Sequence, residues 1–170
     1  SQKMTRRFRE FIKNYGRDLE MKVEPGKLLV GPAGILLTTV TNISETPKYR
    51  FVGVDSGFNH LLRPIIYGAY HRIINASCVS GNEEDIVVVG NICESGDILS
   101  RSGEEINRRL PSPKIGDRLA FLDVGAYGMS MSSQYNFRPR PAEILVKEGR
   151  SRLIRSAESY EDLTRNFPSI

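Results

Sequence analysis

At 170 residues, with 39% hydrophobic and 26% charged positions, the sequence suffices for one globular domain with a sizeable core, or one domain plus part of another; its longest apolar runs, such as Ile35 to Leu37 and Ile86 to Val89, are too short to span a membrane. The 24 Lys and Arg residues exceed the 20 Asp and Glu to give +4, but they are spread along the chain, which argues against nucleic acid as a partner. Cys78 and Cys93 are too few for a disulfide framework and lack metal-ligand spacing with His60 and His71, so no metal site is expected and a reducing, cytoplasmic compartment is.

The N-terminus is polar and basic and lacks the apolar core of a signal peptide. From Met4 to Tyr15, Phe8, Phe11, Ile12 and Tyr15 recur at helical spacing between Arg and Lys, which predicts an amphipathic helix ended by Gly16. Leu19, Met21 and Val23 then alternate with Glu20 and Lys22, the period of a short strand running into Glu24-Pro25-Gly26-Lys27. A Pro-Gly turn with flanking charges is ordinarily a solvated turn, but at a strand end its glycine also lets the backbone approach a ligand.

From Gly34 onward the pattern changes to short β-rich runs at Ile35 to Val40, Tyr49 to Val54, Ile86 to Val89, Arg118 to Leu122 and Ile144 to Val146, broken by Gly, Pro, Asn and Asp. That suits an antiparallel β-barrel or Greek-key sandwich. Ser159 to Leu163 reads as a short terminal helix with Ser159 as its cap. A helix and strand of α/β character ahead of a β domain suggest part of a longer protein.

Four segments carry groups capable of chemistry. In the first, Glu24 and Gly26 lie at the predicted strand end. In the second, Arg63 and Tyr67 sit four residues apart among apolar neighbours. A guanidinium beside a phenol can grip a carboxylate, since the fork gives two charged hydrogen bonds and the phenol a third; equally, the Arg can lie over the surface and the Tyr pack in the core. In the third, Cys93-Glu94-Ser95-Gly96-Asp97 follows the strand Ile86 to Val89 and offers a thiol and two carboxylates on a loop. Cys93 can serve as a proton donor if partly exposed, or be a structural cysteine before a turn. In the fourth, Asp123 to Ser130 places Tyr127 between small residues, where its hydroxyl can reach a ligand or simply close a hairpin.

Together, in this order, these segments resemble the fold-type III, pyridoxal-phosphate-dependent decarboxylases of diaminopimelate, ornithine and arginine. The likeness covers nearly the whole chain. Arg63-Pro64 with Tyr67, Glu94 to Asp97 after Cys93, and the run from Gly125-Ala126-Tyr127 through Pro141-Ala142-Glu143 look like the diaminopimelate branch. The resemblance implies that residues 1–33 are a remnant of an N-terminal (β/α)8 barrel and residues 34–170 the C-terminal β domain. It implies decarboxylation of meso-diaminopimelate to L-lysine and CO2, with pyridoxal 5'-phosphate as cofactor.

It also implies roles. Glu24 would face the pyridine nitrogen and Gly26 the cofactor phosphate. Arg63 and Tyr67 would hold the distal carboxylate of the substrate, Glu94 its distal ammonium, and Tyr127 would lie against cofactor or substrate. Cys93 would donate a proton at the reacting centre. Cys93 and Glu94 would serve the neighbouring subunit's site, so an obligate homodimer is expected. Lys27 stands where the family usually has Arg, which replaces a fork by a point charge in gripping phosphate or carboxylate. No lysine in this chain sits in the context expected of the Schiff-base lysine, so the chain by itself is expected to be inactive. Two other readings stay open: a decarboxylase of ornithine, arginine or carboxynorspermidine, and a β domain that binds a ligand or partner without chemistry.

Overall fold

The computed structural model describes residues 2–17 and 19–168. Helix α1, Gln2–Tyr15, forms as the apolar spacing requires, with Phe11 and Tyr15 stacked on its surface 5.3 Å apart, and it buries none of its residues. The strand expected at Leu19 to Val23 is absent; the segment is irregular and Leu19, Met21 and Val23 are exposed. Alternation alone does not make a strand, because its N–H and C=O groups need a ladder partner, and no strand among the described residues offers one. Nor does Pro25-Gly26 close a turn: Pro25 caps a short helix α2, Gly26–Val30, and a 3-10 turn, Gly31–Ala33, leads on to the sheet.

Strand β1, Leu36–Glu45, is the spine of a six-stranded sheet. Its first half pairs antiparallel with β6, Arg118–Phe121, and its second half with β2, Arg50–Val54, the partner changing at a bulge between Val40 and Asn42. The chain then crosses over through helix α3, Arg63–Tyr67, and strand β3, Ile73–Asn75, which pairs with β6 at the far end of the sheet. It returns as β4, Glu83–Val89, beside β2. β2 and β4 run parallel, so the antiparallel expectation holds for every other pairing of this sheet but not for this one; a parallel neighbour demands a long crossover, and that crossover carries α3. Strand β5, Arg108–Pro111, completes the order β3-β6-β1-β2-β4-β5. The two end strands approach one another, with Asn75 Nδ2 donating to Pro111 O at 3.5 Å, so the sheet is a nearly closed barrel.

The barrel interior holds Val40, Val52, Val54, Ile86, Val88, Leu119 and Phe121, with Leu61 and Leu99 from the loops, all at most 1% exposed. β2 alternates inward and outward, whereas Ile86, Val87 and Val88 are buried in succession, as in a strand covered on both faces. Beyond the barrel, β7, Glu143–Lys147, and β8, Arg150–Arg155, form a separate hairpin. Helix α4, Tyr160–Thr164, begins with Ser159 as foreseen: the Ser159 hydroxyl accepts from Asp162 N at 3.1 Å, and Asp162 Oδ2 accepts from Ser159 N at 2.8 Å.

Candidate active site

Helix α3 delivers the first group. Pro64 in its opening turn fits the fixed φ of a helix start, and Gly68, with φ 56, ends it where a side chain would be strained. Five residues then suffice to put Arg63 and Tyr67 one turn apart. The guanidinium carbon of Arg63 lies 5.2 Å from the Tyr67 ring centre and 5.6 Å from that of Tyr127. Among the described residues no carboxylate pairs with Arg63. A half-buried guanidinium held between two ring faces, with its fork unclaimed, is built to take an anion from outside.

Tyr127 arrives on a turn that is tightly threaded. After β6, Val124 N donates to Gly34 O and Gly125 N to Gly31 O, each at 3.0 Å. A Cβ on Gly125 would collide with Val30 O, so only glycine lets the two segments pass. The turn brings Tyr127 onto α2, where its hydroxyl lies flush against Gly26. Gly26, Lys27, Arg63, Tyr67 and Tyr127 are therefore neighbours, although they come from three separate parts of the sequence. Glu24 precedes α2 and is exposed.

Cys93 and Glu94 stand in a second group. Asp97, 4% exposed, accepts from Phe58 N at 2.7 Å and from Ile92 N at 2.9 Å, tying the loop after β2 to the loop after β4. Gly90 N donates to Asp97 O at 3.0 Å and Asn91 N to Ser56 O at 2.9 Å, so the 90–98 loop is rigidly closed. Burial raises the Asp97 carboxyl above its ordinary value, outweighing the two N–H groups that favour its ionised form. On this base Cys93 is exposed, its N–H donating to Asn136 Oδ1 at 3.2 Å, and Glu94 is exposed with Oε1 accepting from Gly96 N at 3.2 Å. The loop abuts α3, since a Cβ on Gly96 would lie 3.9 Å from Ile65 Cγ2. No hydrogen bond or ion pair among the described residues joins Glu94 to Arg63.

Two residues here escaped the sequence reading. Asp97 reads in sequence only as part of the cysteine segment, and Asn136 only as part of a Pro-stiffened, mostly extended crossing from Tyr135 to Pro141, which in the structure opens with a 3-10 turn at Tyr135–Phe137; neither position signals in sequence that it braces a loop distant along the chain. No group of three or more His, Cys, Asp or Glu suited to a metal occurs among the described residues.

Residues 16–125 match the sequence model of the pyridoxal-dependent decarboxylases, C-terminal sheet domain, and the chain belongs to that family. Within it, the chain is 46% identical over 171 aligned positions to diaminopimelate decarboxylase of Methanothermobacter thermautotrophicus and 48% over 147 to that of Archaeoglobus fulgidus, covering 98% and 86% of this chain. It spans only 39% and 34% of those relatives. The crystal structure of diaminopimelate decarboxylase from M. jannaschii superposes with a TM-score of 0.80 at 40% identity, over 94% of this chain and 36% of that one; a co-complex of the same enzyme with L-lysine matches equally. A lysine/ornithine decarboxylase from Vibrio vulnificus, at 23% identity and a TM-score of 0.59, shares the fold.

Proposed function

We propose that this chain is the substrate-recognition part of a diaminopimelate decarboxylase, which converts meso-diaminopimelate to L-lysine and CO2 in the cytoplasm. The observation that carries the reading is Arg63, whose fork has no carboxylate partner among the described residues and is held between Tyr67 and Tyr127. Names and structures of the relatives support the same substrate.

Gly26, whose lack of a side chain admits the Tyr127 hydroxyl and lets the backbone approach a ligand, fits a phosphate-bearing cofactor together with the cation of Lys27. Pyridoxal 5'-phosphate, when bound, supplies the electron sink for the pair left on Cα as the bond to CO2 breaks. Gly26 would let the backbone approach the phosphate, and Lys27 would offer it or a substrate carboxylate a point charge. Glu24 keeps a proton on the pyridine nitrogen. Arg63 binds the distal carboxylate in a bidentate fork, its guanidinium held against the Tyr67 and Tyr127 rings. Glu94 accepts from the distal ammonium, and Cys93 returns a proton to Cα.

Cys93 and Glu94 are exposed on a braced loop, which suits their serving the site of a second subunit in a homodimer. The lysine that carries the cofactor belongs to an N-terminal barrel, of which α1 and the segment up to residue 33 form the end. Helix α1, which buries none of its residues, and the Leu19 to Val23 segment, which has no strand partner among the described residues, support that division.

The test is substrate recognition in the full-length enzyme. Glu94→Ala removes a charge-assisted hydrogen bond worth about 1.5–3 kcal/mol, roughly ten- to a hundredfold in kcat/KM for meso-diaminopimelate, with cofactor binding intact. Arg63→Ala should cost at least as much. Wild-type efficiency in both variants would return these residues to the scaffold and remove the substrate assignment.

A further inference from the structure

Beside the Arg63 group, and outside the roles proposed above, lies His71. Its imidazole is only 4% exposed, and Nδ1 is 2.9 Å from Leu122 O. A carbonyl oxygen only accepts, so Nδ1 carries the hydrogen and Nε2 the lone pair. Nε2 is buried and has no partner among the described residues. Leu122 N in turn donates to Arg72 O at 2.8 Å, so the entry to β3 and the end of β6 clasp each other from both sides. Directly beyond Leu122 the chain turns at Asp123, whose φ is 61, and passes through Val124 and Gly125 to present Tyr127 to Arg63 and Gly26.

The charged groups facing the ring are Arg63 from α3, Lys27 from α2 and Asp123 from the turn itself. Burial, first, and then the two cations hold His71 below its ordinary value, against the Leu122 bond and Asp123. A proton on Nε2 would be buried without an acceptor and would set a third cation beside Arg63 and Lys27. The neutral ring is the form this position accepts.

We infer that His71, as the neutral Nδ1–H tautomer, is a positioning residue for the carboxylate seat, holding the Leu122–Tyr127 turn so that Tyr127 and Arg63 meet a substrate carboxylate together. This rests on the decarboxylase reading. In the full-length enzyme, His71→Asn keeps an N–H donor near the Nδ1 position, whereas His71→Leu keeps bulk and loses the donor. The Leu variant should raise KM for meso-diaminopimelate about fivefold or more with kcat within about threefold, and the Asn variant should stay within about twofold of wild type. Wild-type KM should also rise as the pH falls through the lowered value of His71, an acid limb that His71→Asn removes. Nitrogen-15 NMR, with His71→Asn identifying the signal, should show a neutral Nδ1–H ring at pH 6.5, the ordinary midpoint. An Nε2–H tautomer, a Leu variant with wild-type KM, or an acid limb that persists in His71→Asn would overturn the role of His71 alone. Should the Leu variant fail to fold, the acid limb and the tautomer decide. Absence of turnover in the wild-type enzyme would overturn the decarboxylase reading and the seat with it.

Discussion

Gly26 and Tyr127, a hundred residues apart, touch so closely that a Cβ on Gly26 would overlap the Tyr127 hydroxyl and come within 3.3 Å of Cζ. Helix α2 and the turn after β6 meet at this point. In the full-length enzyme Gly26→Ala should therefore displace the phenol and weaken pyridoxal phosphate binding, with an overpacking cost of about 1–3 kcal/mol. Removing the offending oxygen should restore part of it, so the double variant Gly26→Ala, Tyr127→Phe should bind the cofactor better than Gly26→Ala alone. Equilibrium dialysis checks both, and additive losses would mean the contact does not matter.

Asp97 braces two loops from a buried position, so Asp97→Ala should leave the Phe58 and Ile92 N–H groups unpaired. The expected loss is about 2–5 kcal/mol in denaturant unfolding.

The same residue sets a pH dependence. Burial raises its carboxyl above the ordinary 3.8, so the folded chain keeps the Asp97 proton to higher pH than the unfolded chain does. Its contribution to stability is then full below 3.8 and declines as the pH rises through the folded-state value. Carbon-13 titration of Asp97 should give a midpoint above 3.8, and Asp97→Asn should remove this part of the slope.

Cys93 is exposed on that loop, and Cys78, also exposed, bonds through Sγ to Ser80 O at 3.1 Å elsewhere on the surface. In the full-length enzyme Cys93→Ser should lower kcat by roughly a hundredfold while leaving KM within about threefold, the pattern of a lost proton donor. Cys78→Ser should change neither, and an equal effect of both would point to stability rather than chemistry.

If the cofactor's lysine lies in the N-terminal barrel, borohydride treatment of this chain with pyridoxal phosphate should fix the cofactor to no single lysine. Mass spectrometry that placed it stoichiometrically on one lysine here would refute that division of the active site.

The β-rich runs of the sequence correspond to β1, β2, β4, β6 and β7, because each is long or apolar enough for period-two patterning to register. β3 has only three residues, and β5, Arg-Arg-Leu-Pro, is half charged, so neither stands out; they are strands because β6 and β4 hold them. The opposite error at Leu19 to Val23 has the same cause, a strand-like pattern with no neighbour to complete it. Helices α2 and α3 are single turns bounded by Pro and Gly, shorter than one period of an amphipathic pattern can reveal.

From sequence alone come the β character of the domain, the family resemblance and the residue types able to grip a carboxylate, since composition and local order are properties of the chain itself. Which of them meet was decided by tertiary structure. The parallel β2 and β4 pair forces the crossover that places α3 beside the Tyr127 turn, and His71 and Asp97 acquire their roles through backbone groups 51 and 39 residues away. Contacts of that range depend on how the sheet closes, and no local pattern encodes them.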